Sequence, residues 1–139
     1  MSEPAVPAAR PRIAVEWLYY LTAVFFFVYL FVYYWTSEGG PTLLAIAMVP
    51  VTFILYTLDA LRKNEFYPRL PAGANYAIAA AYIAVSIAIA VYMHVEYFEI
   101  GTVRAGIFSA TDLTMGALMV VLIMEYARKR YLPLFILNI

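Results

Sequence analysis

The sequence has no cysteine, a single histidine and few charged residues. Of its 139 residues, 13% are charged, about half of the share that is usual in a soluble domain. Without cysteine the chain has no disulfide, no thiolate nucleophile and no thiolate-held metal cluster. With His94 alone, it has no pair of histidines for a haem or a zinc ion. The formal net charge is zero, so no overall basic field attracts nucleic acid. We therefore expect neither a cofactor nor a nucleic-acid partner.

Apolar side chains are abundant instead. They make up 65% of the chain, and the mean hydropathy is +0.81. A compact soluble fold of this size cannot bury so much apolar surface, so membrane lipid is the expected solvent. The apolar residues fall into four blocks, 13–35, 42–61, 75–98 and 113–127. Three are long enough to span a bilayer, and the fourth ends at Arg128, whose side chain can snorkel to the interface.

These blocks predict an all-α polytopic membrane protein, a bundle of four transmembrane helices. Residues 1–12 are rich in proline and alanine and are expected to be a disordered segment on the cytoplasmic side. Residues 128–139 are expected to form a basic stop, a group of basic residues that ends the fourth span, followed by an apolar tail. The tail is too short to span the membrane, and it resembles the opening of a longer membrane protein. Its apolar residues, including Leu134 and Phe135, are expected to pack against lipid or a partner.

The basic residues predict the orientation of the chain in the membrane. With four spans, eight of the nine lysines and arginines fall on one side of the membrane and only Arg104 falls on the other. Because basic residues concentrate in cytoplasmic loops, this distribution predicts that both termini are cytoplasmic. The eight are Arg10, Arg12, Arg62, Lys63, Arg69, Arg128, Lys129 and Arg130.

The third block carries a stripe of alanines at helical spacing. Residues three and four apart share one face of a helix, and small residues let helices approach closely in lipid. The stripe is either a docking face for another protein or a packing face within the chain. We call it the alanine face; its members are Ala77, Ala80, Ala81, Ala84 and Ala88.

The ionisable residues lie near the predicted ends of the spans. Glu125 precedes Arg128 and Lys129 by three and four residues, which is a favourable spacing for ion pairs on a helix. Arg104 is expected to pair with acids of the outer loops, among them Asp112, which is also a candidate helix cap with Ser109 and Thr111. His94 lies near the outer end of the third block, where it could ligate the metal of a porphyrin or stay solvated.

Transporters usually place ionisable residues deep in the membrane. In this sequence the ionisable residues lie near the ends of the spans, so no path for an ion is visible. Nor does the sequence offer a nucleophile or a metal cluster, so we expect no enzymatic activity.

The C-terminal quarter of the chain resembles a known family. The pattern R-A-G-x5-D-L-x2-G-x8-E-x2-R-x3-L-P-L is similar to the N-terminal region of fused TRAP transporter permeases of the TAXI type, and the four-span layout fits that region. In this family a four-helix region like the small subunit precedes a much larger transport region. The matching positions are Arg104, Gly106, Asp112, Leu113, Gly116, Glu125, Arg128 and residues 132–134.

The resemblance implies a location in the bacterial cytoplasmic membrane and a scaffold role. In that family the sodium and substrate sites belong to the large region, and a periplasmic binding protein delivers the substrate. The small region braces the moving part. We therefore expect a larger multi-span membrane protein as partner and contact with a binding protein only indirectly. The alternative is a structural accessory subunit of an unrelated photosynthetic or respiratory complex, derived from a truncated TRAP-like protein.

Overall fold

The structure is a computed structural model that describes residues 9–37 and 40–137, with side chains described for residues 12–37 and 40–129. Within these residues the chain is helical and contains no strand. Four helices are long, and one is a short turn of helix between the third and the last. In chain order they are α1 (Ala9–Thr36), α2 (Gly40–Arg62), α3 (Ala72–Val95), α4 (Tyr97–Gly101) and α5 (Ala110–Leu137).

The four long helices confirm the predicted fold class. Each contains a segment that is long and apolar enough to cross a membrane, so the chain is a multi-pass membrane protein by length and composition. The segments are Arg12–Thr36, Gly40–Arg62, Ala72–Val95 and Ala110–Lys129.

The long helices differ from the predicted blocks at both ends, and three of these boundaries change how the sequence is interpreted. Helix α1 begins at Ala9, inside the segment expected to be disordered, because Pro11 is tolerated in the first turn of a helix, where backbone N–H groups have no partner. Residues 1–8 lie outside the described part. Helix α3 ends at Val95 rather than at residue 98, and α4 follows directly after Glu96. Helix α5 continues to Leu137, so the residues after Arg128 extend the helix instead of forming a separate tail.

Helix α2 lies at the centre of the arrangement. It packs against α3 and α1, whereas α5 packs mainly against α3. The buried apolar cluster lies where α1 begins, α2 ends and α3 begins, and the loop between α2 and α3 contributes to it through Phe66. Its members are Val15, Leu58, Ala60, Leu61, Phe66 and Ala79.

Two small side chains, Ala79 and Ser86, allow the close packing of α3. Ala79, Ser86 and Ile89 are each 1% exposed and lie on one face of the helix. Ser86 also donates a hydrogen bond to the carbonyl oxygen of Tyr82, one turn earlier, at 2.8 Å. Small interface residues are typical of membrane helix pairs, where packing rather than the hydrophobic effect drives association.

Helices α1 and α5 leave most of their apolar side chains uncovered. In each, only 6% of the most apolar window is buried inside the molecule. The exposed side chains of α1 include many aromatic rings, whereas the large exposed apolar side chains described for α5 are aliphatic or methionine. These faces suit contact with lipid or with another membrane protein. On α1 they include Trp17, Phe25, Phe27, Phe31 and Trp35, and on α5 Leu113, Val120, Val121 and Met124.

Candidate functional site

Polar side chains gather at two opposite ends of the helices. At one end, which we call the basic end, α1 begins, α2 ends, α3 begins and α5 carries its basic residues; it contains Arg12, Arg62, Lys63, Arg128 and Lys129. At the other end, Arg104 lies in the loop between α4 and α5. The predicted grouping of the basic residues is therefore present in the helix arrangement among the residues whose side chains are described.

Glu125 links α5 to the loop between α2 and α3 at the basic end. Arg128 donates two hydrogen bonds to the Glu125 carboxylate, at 2.7 and 2.6 Å. Lys129 Nζ lies 3.9 Å from the same carboxylate. The predicted spacing thus produces the predicted ion pairs. In addition, the hydroxyl of Tyr67, in the loop between α2 and α3, donates a hydrogen bond of 2.6 Å to the Glu125 carboxylate.

Aromatic rings surround the ammonium group of Lys129. Its Nζ lies 3.6 Å from the ring centroids of both Phe66 and Tyr67 and 5.9 Å from that of Tyr82. It also donates a hydrogen bond of 3.1 Å to the backbone oxygen of Phe66. Only 12% of the side chain is exposed, so the favourable cation–π attraction is poorly screened.

These contacts form one connected unit, the Lys129 cluster, which contains Phe66, Tyr67, Tyr82, Glu125, Arg128 and Lys129. The hydroxyls of Tyr67 and Tyr82 are 3.2 Å apart. Burial, together with the hydrogen bonds to Glu125 and Tyr82, raises the pKa of Tyr67 above its usual range. The hydroxyl therefore stays protonated at all physiological pH values and serves as a fixed donor.

The second unit is the Arg104 cluster, which contains Tyr92, Glu96, Glu99, Arg104, Ser109 and Asp112. Here Ser109 and Asp112 cap the start of α5 reciprocally. The backbone N–H of Asp112 donates to Ser109 Oγ at 3.1 Å, and the backbone N–H of Ser109 donates to the Asp112 carboxylate at 2.7 Å. This is a capping box, so of the three candidate caps the N-cap is Ser109.

Arg104 connects the end of α3 to the start of α5. Its guanidinium pairs with Glu96 and lies 3.4 Å from the Asp112 carboxylate and 3.6 Å from that of Glu99. The pairing that the sequence predicts with outer-loop acids is therefore present. Burial lowers the pKa of Arg104, but the attraction of Asp112 and Glu96 outweighs it and the net change is upward. Tyr92 of α3 completes the link by donating a 2.6 Å hydrogen bond to Asp112.

The two glycines of the sequence pattern have different surroundings. Gly106 has φ +85° and lies two residues after Arg104 in the turn that precedes α5. A residue with a side chain is strained in this left-handed conformation, so the turn that presents Arg104 requires glycine. Gly116 lies in α5, where an added Cβ would meet no atom within 4 Å.

The alanine face is exposed in the structure. All five of its alanines are uncovered, and they lie on the side of α3 opposite to Ala79 and Ser86, which pack inward. The described helices of the chain therefore do not use this face for their own packing. Whether a partner covers it stays a prediction. The side chains of Leu134 and Phe135, the predicted tail contacts, lie outside the described part.

His94 lines an apolar groove between three helices. The groove has a volume of about 350 Å³. Apart from His94 and Tyr29 its lining is apolar, with side chains from α1, α2 and α3. The lining residues are Phe25, Phe26, Tyr29, Ile46, Ala47, Val51, Ala90, Val91, His94 and Val95. Among the described side chains, no three of the metal-ligating types are grouped so that they could hold a metal ion.

Sequence reasoning missed most partners of the two clusters. It identified Glu125, Arg128, Arg104 and Asp112 from local spacing. It did not identify Tyr67, Tyr82, Phe66 or Tyr92, because their contacts join distant parts of the chain. The only signal available was the density of tyrosine near the ends of the apolar blocks, which indicates interfacial belts as well as specific contacts.

Comparisons with protein-family models, with curated proteins and with solved structures found no match. The resemblance to the TRAP family therefore stays a prediction that rests on the residue pattern. Four of the pattern's residues (Arg104, Asp112, Glu125 and Arg128) form the ion pairs of the two clusters.

Proposed function

We propose that this chain is a non-catalytic scaffold subunit of the bacterial cytoplasmic membrane, resembling the small subunit of a TRAP-type secondary transporter and bracing a larger transport subunit. The observation that carries the proposal is the exposed alanine face of α3. A flat row of five small side chains lets the backbone of another helix approach closely. The opposite face of α3 is already used for packing against α2, so the alanine face is free for a partner.

The ion pairs of the two clusters support a structural role for the patterned residues. Asp112 accepts hydrogen bonds from Tyr92 and from the backbone of Ser109, and Glu125 accepts them from Tyr67 and Arg128. Each carboxylate joins α5 to another element of the structure. Fixed helix ends suit a subunit that offers a rigid surface to a moving partner.

The partner that fits these surfaces is a larger multi-span membrane protein. Its contact helix would lie along the alanine face, and a periplasmic binding protein would meet that partner rather than this chain. Membrane lipid would cover the remaining apolar faces of α1 and α5.

Co-purification tests the scaffold proposal. The double substitution Ala81→Leu and Ala84→Leu fills the alanine face, and overpacking of this kind costs about 1–3 kcal/mol per site. We expect the unmodified chain to recover a multi-span permease from its native membrane in mild detergent and the double variant to recover at least roughly tenfold less. The matched control is Ala117→Leu on α5, also at an exposed alanine, which should leave recovery unchanged. Absence of a permease, or equal recovery by the double variant, would contradict the proposal.

A second function is favoured by the aromatic surface of α1. Trp17, Phe25, Phe27, Phe31 and Trp35 are each more than half exposed and could pack against pigments or the helices of a photosynthetic or respiratory complex. In that case the chain is a structural accessory subunit. The same co-purification separates the two proposals, because this one requires recovery of a pigment or redox complex in place of a permease.

We also propose that both termini face the cytoplasm, since the basic end would then lie on the cytoplasmic side. The chain has no cysteine, so single introduced cysteines report accessibility without background. With a membrane-impermeant maleimide on intact cells, we expect labelling of Val103→Cys in the loop before α5. We expect labelling of Leu70→Cys, in the loop after α2, only after permeabilisation. The reverse pattern would establish the opposite orientation.

A further inference from the structure

Positively charged side chains converge where α1 begins and α2 ends. A guanidinium nitrogen of Arg12 lies 3.5 Å from the backbone oxygen of Arg62. The Arg62 guanidinium lies 3.4 Å from the hydroxyl of Tyr20 and stacks over the ring of Tyr19, with its carbon 4.6 Å from the ring centroid. Lys63 follows directly in the chain. Two arginines and a lysine therefore share a small area at the ends of two neighbouring helices.

The acids nearby do not neutralise these three cations. Asp59 is shared, since it accepts hydrogen bonds from both Arg62 at 2.7 Å and Lys63 at 2.6 Å. Arg12 has no carboxylate within 4.0 Å among the described side chains. Glu16, one helical turn further along α1, brings the count to three cations against two carboxylates. The area keeps a net positive charge, and Arg12 is its least compensated member.

Next to the cations lies a surface that suits the headgroup region of a lipid and the first part of its acyl chains. A shallow surface groove of about 280 Å³ along α1 is lined by Glu16, Trp17 and Tyr20. Trp17 is 67% exposed and Tyr20 is half exposed. Tryptophan and tyrosine favour the level of lipid headgroups, where an apolar ring and a polar tip are both satisfied. The charged area therefore opens onto the lipid-facing surface of α1 and not onto bulk water alone.

We propose that an anionic phospholipid binds at this place, with its phosphate between Arg12 and Arg62 and its glycerol and upper acyl chain against Trp17 and Tyr20. Guanidinium groups match phosphate oxygens with paired hydrogen bonds. The phosphate supplies the negative charge that Asp59 and Glu16 do not. A zwitterionic lipid would bring its own cation into an area that is already positive. The proposal depends neither on the scaffold function nor on the orientation of the chain.

Trp17 provides a local reporter for the test. The chain has two tryptophans, so Trp35→Phe leaves Trp17 as the only one, in the full-length protein reconstituted in phosphatidylcholine bilayers at low salt. Bromine atoms on acyl chains quench tryptophan on contact. We expect brominated phosphatidylglycerol to occupy the surroundings of Trp17 about five-fold more readily than brominated phosphatidylcholine, the size of effect that one basic residue exerts on an anionic lipid.

Substitutions assign the selectivity to the proposed cations. Arg12→Gln should abolish the preference for phosphatidylglycerol, and Arg12→Lys should keep part of it because the charge remains. Glu16→Gln should strengthen it. Arg69→Gln is the matched control, since Arg69 is an exposed cation of the loop after α2, and it should leave the preference unchanged. In a Trp17→Phe chain, Trp35 at the far end of α1 should report no preference.

Several results would overturn the proposal. Equal quenching of Trp17 by the two lipids would show that the area does not select an anionic headgroup. An equal effect of Arg69→Gln and Arg12→Gln would show that the preference comes from general surface charge and not from a specific site. Loss of the preference on addition of millimolar inorganic phosphate, at constant ionic strength, would assign the site to a free anion rather than to a lipid.

Discussion

Replacement of Glu125 by alanine is expected to lower the free energy of unfolding by about 3 kcal/mol, the lower part of the range for breaking a buried ion pair from one side. The change removes the acceptor of the Tyr67 hydroxyl and both hydrogen bonds from Arg128. It also leaves the Lys129 ammonium among aromatic rings without its carboxylate. Because the Glu125 side chain is only 19% exposed and lies at the edge of a bilayer, water compensates little of this loss.

The measurement is equilibrium unfolding of the detergent-solubilised chain with increasing SDS, followed by near-ultraviolet circular dichroism. Asp59→Ala is a closely matched control, since Asp59 also pairs with basic residues three and four positions later. That carboxylate accepts no described hydrogen bond from another helix, so its loss should cost under about 1 kcal/mol. Equal costs for the two variants would show that the cross-element hydrogen bond from Tyr67 contributes nothing.

Replacement of Asp112 by alanine is expected to lower the apparent melting temperature by roughly 10 °C. The variant loses half of the capping box of α5, the acceptor of the Tyr92 hydroxyl and a partner of Arg104. The Asp112 side chain is 7% exposed, so the groups that it leaves behind reach water only in part. The first turn of α5 and the end of α3 should loosen together.

Thermal unfolding in detergent, followed by circular dichroism at 222 nm, tests this expectation. Ser109→Ala removes only the other half of the capping box and should have a clearly smaller effect. Glu99→Ala removes a carboxylate that is 60% exposed and 3.6 Å from Arg104 and should shift the midpoint hardly at all. If Glu99→Ala and Asp112→Ala lower the midpoint equally, the loss would come from overall charge near Arg104 and not from the geometry around Asp112.

The number of spans and the local ion pairs could be predicted because both are properties of short stretches of sequence. Span length follows from the thickness of the bilayer. The pairs of Glu125 with Arg128 and Lys129 follow from the helical repeat. Arg104 and Asp112 lie only eight residues apart, and the choice of acids in that loop is small. In each case the residues concerned are close in the chain, so the prediction does not depend on tertiary structure.

The face of α3 that packs inward could not be predicted, and the reason is physical. In a soluble helix the buried face is more apolar than the exposed face, and the difference has a helical period. In lipid both faces are apolar, so this signal is weak. Alanines are spread around α3, and Ala79 packs inward whereas Ala81 and Ala84 do not. Choosing between these faces required the positions of α1, α2 and α5.

The aromatic contacts of the Lys129 cluster could not be predicted, for a different reason. Phe66 and Tyr67 lie in the loop between α2 and α3, more than fifty residues before Lys129 in the chain. Nothing in their local sequence distinguishes them from the other aromatic residues at the membrane interface. Their role depends on where that loop lies relative to the last helix, which is decided by the packing of α2 against α3 and of α3 against α5.

The two clusters also determine what motions remain open to α5. Asp112 and Glu125 are thirteen residues apart on this helix, which places the two attachment points roughly 20 Å from each other along its axis. A rotation of α5 about its axis, or a slide by one turn, would have to break both attachments at once. Bending of the segment between them would break neither. The part of α5 between Asp112 and Glu125 is therefore attached at both of its ends, to α3 through Tyr92 and to the loop between α2 and α3 through Tyr67. It can bend with the bilayer while its register relative to these two elements is kept.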